Sequence, residues 1–166
     1  AFERLLGTPG ARLTAPEVLD LLHTPPIARA LELGEEDIER LGLWLAEARV
    51  AWGLDGAWRA GFDVPPIAEH TFAWGMDRLL AGFVMGDLQA RLDLPGGALW
   101  PLAGVGGAQA TVLGALDRLL CELAALHRDA LTPRRASAWA VRLEQLLDAL
   151  FRIDADDAAG TEALAL

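Results

Sequence analysis

The chain has 166 residues, enough for one domain that buries most of the surface of its unfolded state. Hydrophobic residues make up 53% and charged residues 23%, which excludes an intrinsically disordered chain. All 14 basic residues are Arg, and the formal net charge is −10. Without Lys the chain cannot form a P-loop nucleotide site or a Schiff base, and its negative charge disfavours a general phosphate-binding surface.

The single cysteine and the N-terminal sequence bear on the cellular setting. Cys121 has no partner for an internal disulfide, which fits a reducing cytoplasm. The sequence begins with Ala1 and shows no charged-then-apolar leader, so we expect it to be a piece of a longer protein. No composition shift marks an internal boundary, and residues 1–166 are predicted to form one domain.

The first half of the chain predicts two helices and an irregular stretch. Thr14 to Glu17 is a capping box with Pro16 in the first turn, and it predicts a short helix through Leu22 that Pro25-Pro26 ends. A second helix is predicted from about Glu35. Its apolar stripe contains Ile38, Leu41, Leu45 and Ala48. Residues 49–67 are predicted to be irregular, with one helical turn after Asp55.

A third helix is predicted from near Thr71. Its apolar face contains Phe72, Met76, Leu79, Leu80 and Phe83. Residues 94–116 then carry no charge, which is long enough for a membrane span. Six Gly and two Pro lie in that stretch, and they would leave backbone groups unpaired in lipid. We therefore expect a Gly/Pro loop that leads into a helix, and no membrane partner.

Two further helices complete the predicted fold. The fourth is expected over about 108–128, with Leu113, Leu116, Leu120, Leu123 and His127 aligned. Thr132-Pro133 is expected to open the fifth. Its aligned residues are Trp139, Leu143, Leu146, Leu147 and Leu150. No segment alternates in the manner of a strand, so the sequence predicts an all-α domain of about five main helices with a C-terminal helical hairpin.

Two nearly identical motifs, AWGLD at 51–55 and AWGMD at 73–77, suggest an internal repeat. The first falls in the irregular stretch and the second in a predicted helix, and their flanks differ. A true repeat would place both copies in the same element, so we interpret the likeness as coincidental.

The helix with the second motif carries the candidate surface site. Trp74 and Arg78 are four residues apart, opposite the apolar stripe, which suits a cation–π contact. They could form an aromatic and Arg patch for a partner or a nucleobase, or pack beneath a neighbouring segment, and the second interpretation is favoured. Gly75 and Gly82 share another face, where they would let a second backbone approach.

The sequence contains no recognisable catalytic or metal-binding constellation. The candidate soft ligands, which are His23, His70, His127 and Cys121, lack CxxC or HxxxH spacing, so neither a metal site nor a cofactor is predicted. Ser137 lies in a predicted helix without a G-x-S-x-G setting. We expect no catalytic residues and no enzyme activity in this chain alone.

Several motifs in order along the chain resemble the exodeoxyribonuclease V gamma subunit (RecC) family. They are the run LTAPEVLDLL at 13–22, EEDIERL at 35–41, WGLD at 52–55, HTF at 70–72 and DRLLAGF at 77–83. The resemblance covers essentially the full length, and the combination is more specific than any single motif. The chain differs from the family's usual pattern at Ala51 and Ala73, where relatives more usually carry Arg. It also differs at residues 102–105, which are apolar where an acidic Tyr-Asp-rich loop is usual.

This resemblance implies a function. Members are similar to helicases that have lost their ATP site, and this piece looks like the helical insertion of a degenerate helicase-like half. The implied role is a non-catalytic scaffold in a bacterial, cytoplasmic complex with RecB-type and RecD-type subunits (RecBCD), which unwinds and degrades DNA ends and responds to the hotspot Chi. Asp154 matches a family position near the strand-scanning channel and is the implied DNA-contact residue. A different class of protein, a stand-alone helical protein-interaction module with no DNA role, remains the alternative.

Overall fold

The computed structural model describes residues 2–86, 90–94 and 97–153, which form eight α-helices, two short 3-10 helices and one two-stranded hairpin. The helices are α1 (Phe2–Gly7), α2 (Ala15–Leu22), α3 (Pro25–Ala30), α4 (Glu35–Glu47), α5 (Gly56–Ala60), α6 (Phe72–Met85), α7 (Ala110–Ala130) and α8 (Ala136–Leu150). The 3-10 helices are Thr8–Gly10 and Gly107–Gln109, and the strands are β1 (Leu92–Leu94) and β2 (Gly97–Leu99). The predicted all-α class is confirmed. Within the described ranges, no helix combines the length and the apolar character that crossing a membrane requires.

The N-terminal helices follow their capping signals. The Oγ1 atom of Thr14 accepts from the Glu17 amide, and the Glu17 carboxylate accepts from the Thr14 amide at 2.6 Å, so the predicted capping box is confirmed. Pro25-Pro26 follows the end of α2 as predicted, but it also opens α3, which the sequence analysis missed. A proline in the first turn of a helix loses no hydrogen bond, so one Pro pair can end one helix and begin the next.

The predicted stripes of the middle helices are largely confirmed. Ile38, Leu41, Leu45 and Ala48 are all buried, as are Phe72, Met76 and Leu79 of α6. The prediction that Leu80 lies on the buried face of α6 is wrong, because the residue is 44% exposed. It lies about 100° around the helix from Leu79, and this rotation carries it past the edge of the core.

The Gly/Pro loop contains a strand pair that the sequence analysis did not predict. Strands β1 and β2 pair antiparallel, with Leu92 opposite Leu99 and Leu94 opposite Gly97. Gly97 has a φ of 128°, which favours glycine at the point where the chain returns. Strands of three residues are too short to show the alternation on which strand prediction depends.

Helix α7 is the longest helix and contributes most to the core. Eight of its residues are buried: Val112, Leu113, Ala115, Leu116, Leu119, Leu120, Leu123 and Leu126. Its C-terminal half packs on the 3-10 helix Thr8–Gly10 and on α5. The ring centroid of His127 lies 4.0 Å from that of Trp58, and Nδ1 of His127 lies 3.2 Å from the Pro9 carbonyl oxygen. The predicted position of His127 at the core edge agrees with its intermediate burial.

Helices α7 and α8 form the predicted C-terminal hairpin, held by polar contacts as well as by Leu146 and Leu150, which are fully buried. Arg142 donates to Asp129 at 2.7 Å and to Glu122 at 3.0 Å, and Arg118 donates to the Ala149 carbonyl at 2.7 Å. Burial alone would lower the pKa of Arg142, but the hydrogen bonds and charges of its two carboxylate partners raise it.

The start of the last helix was predicted wrongly. Helix α8 begins at Ala136, not at Thr132-Pro133, and its N-cap is Arg135 without a side-chain cap. Arg134 reaches back to pair with Asp129 near the end of α7. This pair holds residues 132–135 in the connection between the helices, so the Pro does not open the last helix.

Candidate functional site

The two similar motifs of the sequence meet in the structure. The carbonyl oxygens of Gly53 and Leu54 accept from the first two amides of α6, those of Phe72 and Ala73, at 3.0 and 2.8 Å. Thr71 completes the cap, because its side chain accepts from the next amide. The first motif therefore caps the helix that carries the second. They are not repeats but partners in one junction, because the free amides of a helix N-terminus need acceptors.

The glycine of each motif fits this junction. Gly53 has a φ of 79°, which places it in the left-handed region where glycine is favoured. Gly75 is helical, and a Cβ built there would lie 2.2 Å from the Cγ2 atom of Val50, just before the first motif. Glycine at position 75 therefore lets the two segments pack directly against each other.

Trp74 and Arg78 form the predicted cation–π pair, with the guanidinium carbon 4.8 Å from the ring centroid. The guanidinium also binds the chain's own backbone. Nε donates to the Trp100 carbonyl at 2.8 Å and Nη1 donates to the Ala48 carbonyl at 2.9 Å. Arg78 therefore joins the end of α4, helix α6 and the segment after β2. These contacts favour packing over free display of the guanidinium.

The electrostatic environment of Arg78 is unusual for an arginine. Partial burial and, to a smaller extent, the positive charge of Arg49 lower its pKa from the ordinary value. His70 completes the cluster, with its ring 5.1 Å from Trp74 and its Nδ1 atom 2.9 Å from the Arg49 carbonyl oxygen. We refer to His70, Trp74 and Arg78 as the Trp74 cluster.

A cleft of about 280 Å³ lies beside this cluster, between α6 and the β1–β2 hairpin. Trp74 and the three residues of β2 are among those that line it. The acidic side chains Asp55, Glu69 and Asp77 also line the cleft. Such a lining repels phosphate groups, so the cleft does not fit the backbone of a nucleic acid.

Sequence analysis missed a second arginine in the junction, Arg59, which is buried with 7% exposure. It donates to the carbonyls of Ile67, Glu69 and Trp52 at 2.8–3.1 Å, and its guanidinium lies 4.9 Å from the Trp52 ring. The Trp of each of the two similar motifs, Trp52 and Trp74, therefore has an Arg over its ring. The first pair is separated by seven residues across a turn, so helical spacing could not predict it.

The two remaining expectations from the sequence concern DNA contact and metal binding. Asp154, the implied DNA-contact residue, lies outside the described residues. Across residues 2–86, 90–94 and 97–153, no group of three or more His, Cys, Asp or Glu side chains could hold a metal ion.

The fold and this junction define a helical domain whose aromatic and arginine side chains fasten its own loops. In a comparison with known protein families, the family model described as "RecBCD enzyme subunit RecC fourth domain" matches residues 1–166. The chain therefore belongs to the RecC family and corresponds to its fourth domain.

Curated relatives extend this finding. RecBCD enzyme subunit RecC of Escherichia coli strain K12 is 29% identical over 159 residues, which are 96% of this chain and 14% of that protein. The subunit of the same name from Mycolicibacterium smegmatis is 34% identical over 84 residues, 51% of this chain and 8% of that protein. That from Mycobacterium tuberculosis H37Rv is 29% identical over 113 residues, 68% and 10% respectively. The chain thus spans about a seventh or less of the length of these relatives.

Proposed function

We propose that this chain is a non-catalytic scaffold segment of a RecC-type subunit, within an ATP-dependent helicase and exodeoxyribonuclease of the RecBCD type. The observation that carries the proposal is the match of the RecC fourth-domain model to residues 1–166. The partners are RecB-type and RecD-type subunits and the DNA end that the complex processes. The setting is the bacterial cytoplasm, where such a complex repairs double-strand breaks by recombination.

The way the arginines are bound supports a scaffold over a DNA-gripping surface. Arg59, Arg78 and Arg118 donate to backbone carbonyls, and Arg142 lies between two carboxylates. Side chains held in this way stabilise the domain, and their contacts leave fewer N–H donors for phosphates. In the complex this segment forms a wall beside the strand, and basic surfaces elsewhere hold the DNA.

The absence of catalysis in this chain is the first testable part of the proposal. The chain contains no Lys, and a P-loop needs a Lys to neutralise the β- and γ-phosphates of ATP. We expect the pure 166-residue chain to show no ATPase or nuclease activity, whereas the reconstituted complex shows both. Turnover by the pure chain that a single carboxylate substitution abolishes would contradict the proposal.

The second part concerns Asp154, which we propose as a contact that reads a base. A carboxylate accepts a hydrogen bond from a base amino group but is repelled by phosphate, so it suits selection better than affinity. In the reconstituted complex, Asp154→Ala should leave unwinding and its salt dependence nearly unchanged while weakening the response to Chi. Asp157→Ala is the matched control, because it removes the same charge three residues away. Slower unwinding of DNA that lacks the hotspot would instead assign Asp154 a structural role.

A further inference from the structure

Helix α7 contains a glycine that no contact within the described chain explains. Gly114 lies in the first half of this 21-residue helix, and a Cβ built there would meet nothing within 4 Å. The glycines of α6 differ, because a Cβ at Gly75 would lie 2.2 Å from Val50 and one at Gly82 would lie 1.8 Å from the Leu102 carbonyl oxygen. Glycine is among the poorest helix formers, so an exposed mid-helix glycine fits a site where something outside the described residues approaches the helix backbone.

Gly114 also lies where two depressions in the surface meet. One, of about 200 Å³, lies between α6 and α7 and is lined by Leu80, Phe83 and Leu113. The other, of about 480 Å³, lies between α3, α7 and the end of α8. Its lining is mixed, with apolar residues such as Leu31 and Phe151 beside the charged side chains of Glu32, Arg118, Asp148 and Arg152. Because Gly114 borders both, the two depressions form one surface across α7, which we call the Gly114 face.

Large apolar side chains extend this face along α6. Val84 is 80% exposed and Leu80 is 44% exposed, and they are four residues apart on the same side of the helix. Together with Phe83, which lines the smaller depression, they give this side of α6 a small apolar surface that suits a protein contact.

The charges around the Gly114 face do not favour a nucleic acid. Asp117 borders the smaller depression and Asp148 the larger. The Arg118 guanidinium donates to the Ala149 carbonyl, and Arg152 is paired with Glu32 at 3.6 Å. Glu32 also lines the larger depression, so three carboxylates face two arginines, and the resulting net negative charge disfavours a phosphate backbone.

We propose that the Gly114 face docks a segment from another domain of the same RecC-type polypeptide, whose backbone passes close to Gly114 while apolar side chains enter the smaller depression and polar side chains enter the larger one. This proposal rests on the proposed function, because it requires this chain to be part of such a subunit. The E. coli relative has 86% of its length outside the matched region, which supplies ample chain to cover the face. A segment tethered to the domain has a high effective concentration, so two shallow depressions suffice to hold it.

The test is hydroxyl-radical footprinting of the full-length subunit, without DNA, ATP or partner subunits. Val84 should be labelled about tenfold less than Val141, and Leu80 should be protected with it, because the core of a packed interface excludes water. Val141 is the internal reference, since it is 53% exposed on α8 and lines neither depression. Equal labelling of Val84 and Val141 would overturn the proposal without any variant being made.

Substitution of Gly114 provides the second arm. In the full-length subunit, Gly114→Leu should displace the docked segment and restore labelling of Leu80 and Val84, and Gly114→Ala should do so more weakly. Ala140→Leu adds similar bulk at an exposed position of α8 and should leave the labelling unchanged. Labelling that neither Gly114 variant alters would overturn the proposal.

Other occupants would be recognised in the same experiment. Protection that disappears on dilution would assign the face to a second copy of the chain, and protection that appears only when DNA is added would assign it to DNA. Either result would overturn the proposal. A complex that fails to unwind DNA would contradict the proposed function and leave the footprint unaffected.

Discussion

Among the glycines that the structure describes, Gly82 is the one at which an added methyl group should be most damaging. The Leu102 amide donates to the Arg78 carbonyl at 3.0 Å, and this contact brings the Leu102 backbone against α6. A Cβ at position 82 would lie 1.8 Å from the Leu102 carbonyl oxygen, and a backbone oxygen cannot yield as a flexible side chain can. We expect Gly82→Ala to destabilise the 166-residue chain by roughly 1–3 kcal/mol in urea melts. Gly114→Ala is the control, and its open surroundings predict a gain of up to about 1 kcal/mol.

Cys121 is exposed, but its neighbours should make it a slow nucleophile. Partial burial raises the pKa of its thiol, the negative charges of Asp117 and Glu122 raise it further, and Arg128 opposes them. A raised pKa leaves less thiolate at a given pH, and the thiolate is the reactive form. Alkylation by iodoacetamide should therefore be slower at pH 8 than for a free cysteine, with its rate profile displaced to higher pH. Asp117→Asn should speed the reaction and Arg128→Gln should slow it; identical rates for the two variants would contradict this account.

The hairpin of α7 and α8 should depend on its buried leucines more than on its exposed face. Leu146 is fully buried and Leu120 is 7% exposed. Replacing either with Ala removes apolar contacts and leaves a cavity, for a loss of roughly 2–5 kcal/mol in the free energy of unfolding. Val141→Ala on the same helix, where the side chain is 53% exposed, should change stability by no more than about 0.5 kcal/mol. A loss below about 1 kcal/mol for Leu146→Ala would mean that α8 packs through another face.

The helices that the sequence predicted well are those whose signals are local. The capping box at Thr14 and the stripe of α4 depend on residues within one or two turns, so their positions follow from spacing alone. The junction between the two motifs could not be predicted in this way. Arg59 binds carbonyls up to ten residues away, and Gly53 caps a helix that begins nineteen residues later, so both contacts require the chain to have folded. The pair of Trp74 and Arg78 was predictable because it lies within one helix.

Charge across the whole chain leads to the last prediction, which concerns DNA. The net charge is −10, and in the described part of the chain Arg40, Arg91, Arg134 and Arg142 are paired with carboxylates. Few phosphates can then be neutralised at once, and the release of counterions that drives binding to DNA is correspondingly small. The isolated chain should bind a fluorescent single-stranded oligonucleotide with a Kd of roughly 10⁻⁴ M or weaker at physiological salt, with a shallow dependence on salt. The reconstituted complex is the positive control, and fluorescence anisotropy across a salt series measures both. Tight binding by the isolated chain that weakens steeply with salt would show that this domain itself binds the phosphate backbone of the strand. That result would contradict the proposed role as a scaffold that makes few phosphate contacts.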